Sequence, residues 1–336
     1  MSRLELPSNE CTIEAAETAE IPPILPGIRK HDGAEELLIR IAELSASPRP
    51  LTPYPGWRFD ADWDNPDPLF KIRQQIWSYF RGREVEAAVC SKWHYDLRLK
   101  LWLGNDLSKQ MFIAGCNEPN EMAFVDRFLK PGMVFLDAGA NEGVYALLAS
   151  ARVGDTGRVY AFEPSSREFL RFSQNLALNS ISNVTALAVA LFDKDGVQEL
   201  NIAEAEHGGQ NTLGAFAYKI ASLGRERVTT RKVDSLLREY RVRRLDLMKL
   251  DVEGAELWLL RGADRTLRKL RPVLLFEVSE PSLRNMGSST DELLAFIRSF
   301  RYDVYVFDAQ TGNPVPARPG ELTSNMIAAP IGVRIS

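Results

Sequence analysis

Residues 134–143 read Val-Phe-Leu-Asp-Ala-Gly-Ala-Asn-Glu-Gly. An apolar run ends here at Asp137, and a turn spaced by glycines leads from it into a stretch with helical periodicity. A second apolar run, 159–162, ends at another acid, Glu163, which follows Asp137 by 26 positions. That distance is one strand–helix–strand step, so both acids are expected at one edge of a parallel sheet, where such sheets bind nucleoside-type cofactors.

The composition limits the class of protein. The chain has 336 residues, of which 45% are hydrophobic and 26% charged, as is ordinary for a globular domain. A net charge of −4 gives no general attraction to nucleic acid or to an anionic membrane, so neither is expected as a partner. Three widely spaced cysteines fit a reducing compartment. Without a signal-peptide pattern or an apolar run near the roughly 20 residues of a membrane span, a cytoplasmic location is expected.

Three segments are expected along the chain. Residues 1–30 are rich in acids, small residues and prolines, and are expected to be disordered or loosely attached. Residues 31–111 are expected to form an extension of helices and strands, for which a role as a cap that selects the acceptor is one hypothesis. Residues 112–333 alternate between strand and helix patterns, which is typical of a mostly parallel sheet with helices on both faces.

The alternation predicts individual elements. Helices are expected at 118–129, 142–152, 166–178, 233–240, 254–269 and 290–299. Strands are expected at 133–137, 158–162, 183–191, 245–250, 272–278, 302–307 and 325–333. Ser165 and Glu168 are expected to form a capping box at the start of the helix at 166–178.

The glycine-spaced turn favours one class of cofactor. Gly139 and Gly143 let a ligand approach the backbone, and a helix that begins near Asn141 offers N–H groups to a carboxylate or a phosphate. Dinucleotide sites prefer Gly-x-Gly-x-x-Gly, but Asn141 replaces the second glycine and Glu142 would add negative charge beside a pyrophosphate. The turn therefore fits a phosphate-free nucleoside that carries an amino acid, namely S-adenosylmethionine, with Glu163 on its ribose.

Residues near other strand ends are candidates for the acceptor chemistry. Asp251 should emerge at the sheet edge that carries the turn, and Glu253 follows it. His207, in the glycine-rich loop 206–212, is a third candidate proton acceptor because histidine has an unperturbed pKa of about 6.5. Glu277, near the end of the fifth strand, is a further inward acid. These acids could also hold a divalent cation, but no metal-ligand spacing is diagnostic.

Taken together, these motifs resemble the FkbM-type S-adenosylmethionine-dependent methyltransferase family. The matching stretches lie at 118–119, 135–143, 159–164, 183–185, 189–191, 208–211, 233–236, 247–256, 260–263 and 325–330. The resemblance implies a class I methyltransferase fold: a Rossmann-like α/β sheet of seven mostly parallel strands with the last strand antiparallel, and an N-terminal extension outside the resemblance. It also implies methylation of a hydroxyl oxygen, often on a sugar or a polyketide.

The resemblance further implies roles for individual residues. By the family pattern, Asp137, Gly139, Asn141 and Gly143 would hold the methionine part of the cofactor, Glu163 the ribose with Pro164 beside it, and the backbone around Ala190 and Leu191 the adenine. Asp251 is added as a further cofactor contact because of its expected place at the same sheet edge.

One reaction fits these features best: direct displacement of the methyl group by a hydroxyl of a small molecule or glycan. Asp251, His207 or Glu253 would remove the hydroxyl proton. Two alternatives stay open. One is a nicotinamide-dependent oxidoreductase on a similar sheet, which the turn spacing disfavours. The other is a non-catalytic module that binds the cofactor, or nothing, and acts through a partner. The sequence does not indicate the acceptor, a metal or the oligomeric state.

Overall fold

The computed structural model describes residues 51–54, 73, 74, 77 and 88–335. The leader expected at 1–30 lies outside the described residues. The chain divides into two compact units, one of Met1–Arg49 and Asp64–Gly115, the other of Pro50–Trp63 and Cys116–Ser336. The three segments expected from the sequence stay a prediction.

The first unit contains a strand pair and a helix in its described part. β1 (Ala88–Lys92) pairs antiparallel with β2 (Arg98–Trp102), and α1 (Asp106–Ala114) follows. The Asn105 side chain accepts a hydrogen bond from a backbone N–H of the first helical turn at 3.0 Å, which caps the helix start. Gly115, with φ of 73°, ends the helix in the left-handed conformation that glycine tolerates.

The second unit contains eleven further strands in its described part. They are β3 (Val134–Ala138), β4 (Arg158–Phe162), β5 (Val184–Leu187), β6 (Ala190–Leu191), β7 (Gly196–Ala203), β8 (Ser222–Arg231), β9 (Leu247–Leu250), β10 (Val273–Glu277), β11 (Tyr302–Phe307), β12 (Pro314–Pro316) and β13 (Asn325–Pro330). Eight of them form one sheet in the order β12-β11-β13-β10-β9-β3-β4-β5, and three form a smaller sheet in the order β6-β8-β7. Neighbours from β10 to β5 are parallel, whereas β13 is antiparallel to both β10 and β11.

Helices connect and cover these strands. They are α2 (Pro119–Phe128), α3 (Val144–Val153), α4 (Ser166–Leu178), α5 (Val233–Glu239), α6 (Glu256–Arg261), α7 (Asp264–Lys269), α8 (Glu280–Asn285) and α9 (Thr290–Ser299). Strands β9 and β13 are buried along their whole length, as strands covered on both faces are. The strand order and the antiparallel last long strand confirm the predicted class I methyltransferase fold. None of the helices in the described ranges is long and apolar enough to span a membrane.

The main sheet has eight strands where seven were expected. The additional strand, β12, is three residues long, begins and ends with proline, and pairs antiparallel with the outer edge of β11. Proline lacks the N–H that a central strand needs, so it is confined to such edges, and a short proline-bounded stretch carries no strand pattern. The seven other strands are the expected set.

The single helix expected at 254–269 is two helices, α6 and α7. Gly262 lies between them against the carbonyl oxygen of Phe192, where an added Cβ would lie 2.1 Å from that oxygen. Asp234 then accepts a hydrogen bond from the backbone N–H of Thr266 at 2.9 Å and so caps the start of α7. Both contacts come from distant parts of the chain, which residue spacing does not reveal.

The strand expected at 183–191 is divided between two sheets. Its first part is β5 in the main sheet, and its last two residues are β6, which pairs with β8 in the smaller sheet. Strands β7 and β8 were not expected. Most side chains of β8 are exposed or half-buried, and only Val228 and Thr230 are buried, so the run lacks the apolar alternation by which strands are predicted.

Candidate active site

Asp137 is the last residue but one of β3 and is completely buried. Neither of its carboxylate oxygens has a hydrogen-bond partner of normal geometry among the described residues. Burial raises the pKa of this carboxyl to about 7, and the nearby Lys249 ammonium and the backbone N–H of Ala146 oppose the rise only in part. A buried carboxylate with so few donors is costly, so this site calls for a ligand that donates hydrogen bonds or carries positive charge.

The two glycines of the turn are required by packing of the protein itself. At Gly139, with φ of 79°, an added Cβ would lie 1.8 Å from the carbonyl oxygen of Asp251. At Gly143, with φ of 89°, it would lie 2.1 Å from the ring of Phe172. These contacts explain both glycines without a ligand, and their predicted contact with a cofactor stays a prediction.

Asn141 and Glu163 join the ends of β3 and β4. The backbone N–H of Asn141, which has a left-handed φ of 50°, donates to Oε2 of Glu163 at 2.9 Å. The N–H of Ser165 donates to Oε1 of Glu163, also at 2.9 Å. Burial nevertheless raises the pKa of Glu163 to about 8. Asn141 Oδ1 is a second buried acceptor without a hydrogen-bond partner in the described ranges. At this edge of the sheet, Asn141 Oδ1 is therefore an acceptor without a described donor, in addition to the oxygens of Asp137.

Glu142 is held in a buried ion pair. Its side chain is 1% exposed, and its Oε1 accepts a hydrogen bond from the Arg171 guanidinium at 2.9 Å. The Asn175 side chain donates to its backbone carbonyl at 2.9 Å. Because Arg171 neutralises it, Glu142 gives no reason to exclude a dinucleotide. That part of the expectation was wrong, and Asn141 in place of the second glycine is the remaining reason.

The capping box expected from Ser165 and Glu168 is not formed. The backbone N–H of Ser165, which a capping box would give to Glu168, is bonded to Glu163 instead. The Ser165 hydroxyl donates directly to Glu168, which also accepts from Arg167 at 2.6 Å and from Asn211 at 2.9 Å. Glu168 therefore ties the start of α4 to the loop that carries His207.

The adenine residues of the prediction are part of the hydrophobic packing. Leu191 is 2% exposed in the main core, and Ala190 is 6% exposed in a small core beside the second sheet. Both pair with β8 through their backbone. The predicted contact of this segment with adenine stays a prediction, as does the place of Pro164 beside the ribose.

Lys249 and Asp251 form an ion pair at the end of β9. The Lys249 ammonium lies 2.8 Å from Oδ2 of Asp251 and 4.8 Å from the ring centroid of Tyr145. Burial alone would lower the pKa of Lys249, but the carboxylates of Asp251, Asp137 and Glu118 outweigh it and raise the pKa above its usual range. Lys249 is therefore a cation at neutral pH and cannot itself accept a proton.

Asp251, Glu253 and Glu277 converge, and we call these three residues the carboxyl cluster. One oxygen from each lies within 4.8 Å of the other two, a spacing that suits a shared proton or a divalent cation. Burial, followed by the charges of neighbouring acids, raises the pKa of Glu253 and of Glu277 well above the usual range. Oε2 of Glu277 is buried and has no hydrogen-bond partner among the described residues.

Glu256 has a structural place beside this cluster. It is 1% exposed, and its Oε1 accepts backbone hydrogen bonds from Val252 at 3.1 Å and Gly254 at 3.3 Å. Burial raises its pKa to about 7. Glu256 thus shapes the turn between β9 and α6, and this turn holds Glu253 with a left-handed φ of 52°. Such a φ is unusual for a side-chain-bearing residue and occurs often at functional sites.

His207 lies at a kink within the 3-10 stretch 205–210, where its backbone is not helical, and it is half-buried. The same loop approaches two parts of the site. An added Cβ on Gly209 would lie 3.3 Å from the Asn141 side chain, and the Thr212 hydroxyl donates to the carbonyl of Glu253 at 2.8 Å. The loop therefore joins the turn after β3 to the carboxyl cluster, whereas contact of His207 with an acceptor stays a prediction.

Residues 137–304 match the methyltransferase FkbM domain, which is half of the chain. The chain belongs to the FkbM methyltransferase family. The match begins at Asp137 and includes the carboxyl cluster and the His207 loop. It decides against the oxidoreductase alternative, because the family is one of methyltransferases.

Curated relatives of this FkbM chain are named methyltransferases or contain a matching region. Methyltransferase sdnD of Sordaria araneosa is 32% identical over 44% of this chain and 66% of its own length. The 2-O-methyltransferase NoeI of Sinorhizobium fredii NGR234 is 25% identical over 48% of this chain and 71% of its own length. AMB antimetabolite synthetase AmbE of Pseudomonas aeruginosa PAO1 is 26% identical over 65% of this chain, but the chain spans only 13% of AmbE.

Two residues that complete the site lie outside the matched FkbM range. Glu118 accepts hydrogen bonds from the Tyr145 hydroxyl at 3.0 Å and from the Asn325 side chain at 2.7 Å. Burial and then Asp251 raise the pKa of Glu118. No spacing rule links Glu118 to Asn325, which are 207 positions apart, so sequence reasoning did not name either as a site residue. The left-handed φ of 52° at Glu118 is visible only in the structure.

Proposed function

We propose that this FkbM methyltransferase transfers the methyl group of S-adenosylmethionine to a hydroxyl oxygen of a small molecule or glycan by direct displacement. The observation that supports this cofactor is Asp137, a fully buried acid near the end of β3 whose two oxygens have no hydrogen-bond partner of normal geometry among the described residues. The cofactor supplies a methyl group made reactive by its positive sulfur. The remaining work of the protein is to hold both reactants and to receive one proton.

The fit of the cofactor rests on acceptors that lack donors. An amino-acid ammonium has N–H groups and a positive charge, which would satisfy Asp137 and favour its ionised form. Oδ1 of Asn141 is a second unmet acceptor on the same turn. We assign the methionine part to this turn, including Gly139 and Gly143, although packing alone already explains both glycines.

The ribose is assigned to Glu163 and Pro164. Each oxygen of Glu163 already accepts one backbone N–H, and each has a further lone pair that a hydroxyl can use. The segment of Ala190 and Leu191 is assigned to the adenine. This assignment is the least supported by contacts, because the two side chains already pack against protein.

Asp251 is the first candidate for the base. Its side chain is 32% exposed, so an acceptor can reach it, and its Oδ2 is oriented by Lys249. Glu253 and His207 are the other two candidates. Asp251 also remains a proposed cofactor contact. A base that removes the hydroxyl proton during attack contributes about 10²–10⁴ in rate.

The acceptor class is supported by the relatives. The name of NoeI is that of a 2-O-methyltransferase, which favours an oxygen acceptor. Because the chain spans only part of the relatives, its own acceptor is a proposal, and so are the cap role of residues 31–111 and a cytoplasmic location. No nucleic-acid partner is proposed.

Calorimetry on the full chain tests the cofactor. We expect S-adenosylmethionine and S-adenosylhomocysteine to bind with measurable heat, and reduced nicotinamide dinucleotide not to bind. Asp137→Asn should weaken binding of both nucleosides by at least tenfold, whereas Asp291→Asn, an exposed acid in α9, should not. Wild-type protein that binds neither nucleoside would reject the proposal.

The acceptor and the base need a second experiment. Mass spectrometry of extracts from cells with and without the active protein should reveal a compound heavier by one methylene group. With the unmethylated counterpart of that compound as the acceptor, single-turnover methylation should fall by about 10²–10⁴ in Asp251→Asn or in His207→Ala. If both variants react like wild type, the base is wrongly assigned. Binding without any turnover would favour the non-catalytic module instead.

A further inference from the structure

The carboxyl cluster holds more negative charge than its surroundings balance. In the described part of the chain, Lys249 is the only cation paired with the cluster, through Asp251 at 2.8 Å. The other titratable groups that face it among the described residues are acids or a phenol: Glu118 just before α2, Asp137 from β3, Tyr145 from α3 and Glu256 from α6. None of these contributes positive charge.

Three half-buried carboxyl groups this close, with one ammonium, resist full ionisation, because like charges a few ångströms apart favour a shared proton. Burial and neighbouring acids accordingly raise the pKa of both Glu253 and Glu277. Glu277 marks the buried end of the cluster, because its Oε2 is buried and unpartnered in the described ranges. Without a further cation, the cluster therefore keeps at least one proton at neutral pH.

We propose that the carboxyl cluster exchanges this proton for the positive charge of the methyl donor: it releases the proton when the charged donor binds, and it takes up the hydroxyl proton of the acceptor when the methyl group is transferred. This inference rests on the proposed function and adds Glu277 to the groups that take part. It makes the proton acceptor a shared cluster, with Asp251 as its exposed end and Glu277 as its buried end.

The exchange keeps the charge of the site constant through the reaction. The acceptor oxygen forms the new bond to the methyl carbon, the electron pair of the carbon–sulfur bond goes to sulfur, and the hydroxyl proton goes to the cluster. The positive charge lost at sulfur is thus replaced by a proton on a carboxyl group. Because uncompensated charge is costly in a buried site, this replacement favours the transfer.

Proton counting by calorimetry tests the inference without any acceptor. The full chain is titrated near pH 7.5 with S-adenosylmethionine, with S-adenosylhomocysteine and with sinefungin, in buffers of different ionisation enthalpy. The dependence of the observed heat on the buffer gives the number of protons released. The three ligands share the ribose and the amino acid, so contributions from Asp137 and Glu163 cancel in the comparison.

We expect S-adenosylmethionine to release up to about one more proton than the neutral S-adenosylhomocysteine. Sinefungin, in which a carbon bearing a protonated amino group replaces the methylated sulfonium, should behave like the charged donor. In Glu277→Gln the difference should fall below half of the wild-type value. Glu321→Gln, a matched change of an exposed glutamate, should keep it. Glu253→Gln serves as the second test variant if Glu277→Gln does not fold.

Three outcomes would overturn the inference. Equal proton release by the charged and the neutral ligand would overturn it while leaving the proposed function intact, and so would an unchanged difference in folded cluster variants. Magnesium binding to wild type that is lost in Glu277→Gln would show that the cluster takes a cation in place of the proton. Absence of heat with all three nucleosides would reject the proposed cofactor as well.

Discussion

The ammonium of Lys249 lies 2.8 Å from Oδ2 of Asp251, and the two side chains differ in exposure, 6% for the lysine and 32% for the aspartate. The cation is thus the buried partner and the carboxylate the accessible one. The Tyr145 ring, 4.8 Å from the ammonium, packs over it, and the Tyr145 hydroxyl is bonded to Glu118. The Lys249 ammonium is therefore a buried positive charge that stabilises the ionised forms of Asp251, Asp137 and Glu118.

Removing this charge should destabilise the protein in a pH-dependent way. Lys249→Met takes the nearby ammonium away from the buried carboxyl of Asp137, and a buried group that loses its partner costs about 1–3 kcal/mol in the free energy of unfolding. Lys249 lowers the pKa of both Glu118 and Asp137. Without it these acids hold their protons to higher pH in the folded state, so the destabilisation should be larger at pH 8 than at pH 6. Urea unfolding at the two pH values measures this.

The matched control for Lys249→Met is Lys269→Met, which changes an exposed lysine at the end of α7. Its effect should stay within about 0.5 kcal/mol at either pH. If the two variants had the same free energy of unfolding at pH 8, Lys249 would not be the counter-ion of these acids.

A second prediction separates backbone strain from steric contact at the turn. Gly139 and Gly320 have the same φ of 79°, but an added Cβ meets the Asp251 carbonyl at 1.8 Å only at Gly139 and has open space at Gly320. Gly320→Ala should therefore cost about 1–2 kcal/mol for the left-handed backbone alone. Gly139→Ala should cost several kcal/mol more or prevent folding. Thermal unfolding of both compares them, and equal melting temperatures would contradict the packing role of Gly139.

Much of the fold could be predicted because it depends on local patterns. Helix 166–178 and strands 158–162 and 302–307 were expected at the residues where they occur. In each of these elements the face that packs on the core repeats its apolar residues at the helical or strand period, and this period is visible in the sequence. The break at Gly262 and the strand at 314–316 could not be predicted, since each depends on a partner far away in the chain.

In the candidate site, too, some features could be predicted from local sequence patterns and others could not. Asp137, Glu163 and Asp251 were named from the sequence because acids that follow parallel strands meet at one sheet edge. The sequence could not give the partners of Glu142, whose charge is neutralised by Arg171. Nor could it give the bond between Glu118 and Asn325, because side-chain contacts between distant segments follow from the folded topology.

The buried pair of Glu142 and Arg171 leads to a third prediction. The two side chains are 1% and 8% exposed, so Glu142→Gln removes a buried ionic partner of the Arg171 guanidinium, a kind of loss that costs about 3–5 kcal/mol. Asp264→Asn removes the partner of Arg268 in a pair whose side chains are 52% and 61% exposed. This control should cost only about 0–1 kcal/mol. Similar losses in urea unfolding would contradict the structural role given to Glu142.

Binding of the cofactor should depend on pH through Asp137. Its pKa of about 7 in the free protein means that the carboxyl is largely protonated at pH 6, whereas an ammonium requires the ionised form. Binding then releases a proton, so the affinity for S-adenosylhomocysteine should rise between pH 6 and pH 7, approaching about tenfold per unit at the acid end, and level off above. Calorimetry at pH 6, 7 and 8 checks this, and a flat wild-type profile would contradict it.

The same carboxyl should make the free protein less stable as the pH rises. In the unfolded chain Asp137 ionises near its ordinary pKa of 3.8, but in the folded chain only near 7. Because the folded state holds the proton longer, this group lowers the free energy of unfolding between those two pH values, and the loss is complete above about pH 7. In the variant Asp137→Asn the side chain does not ionise, so no charge becomes buried as the pH rises. We expect the variant to exceed wild type by on the order of 1–3 kcal/mol at pH 8, to lose this advantage near pH 4, and to bind S-adenosylhomocysteine poorly. A variant less stable than wild type at pH 8 would mean that the carboxylate has donors in the free protein, and the case for an ammonium ligand would fail with it.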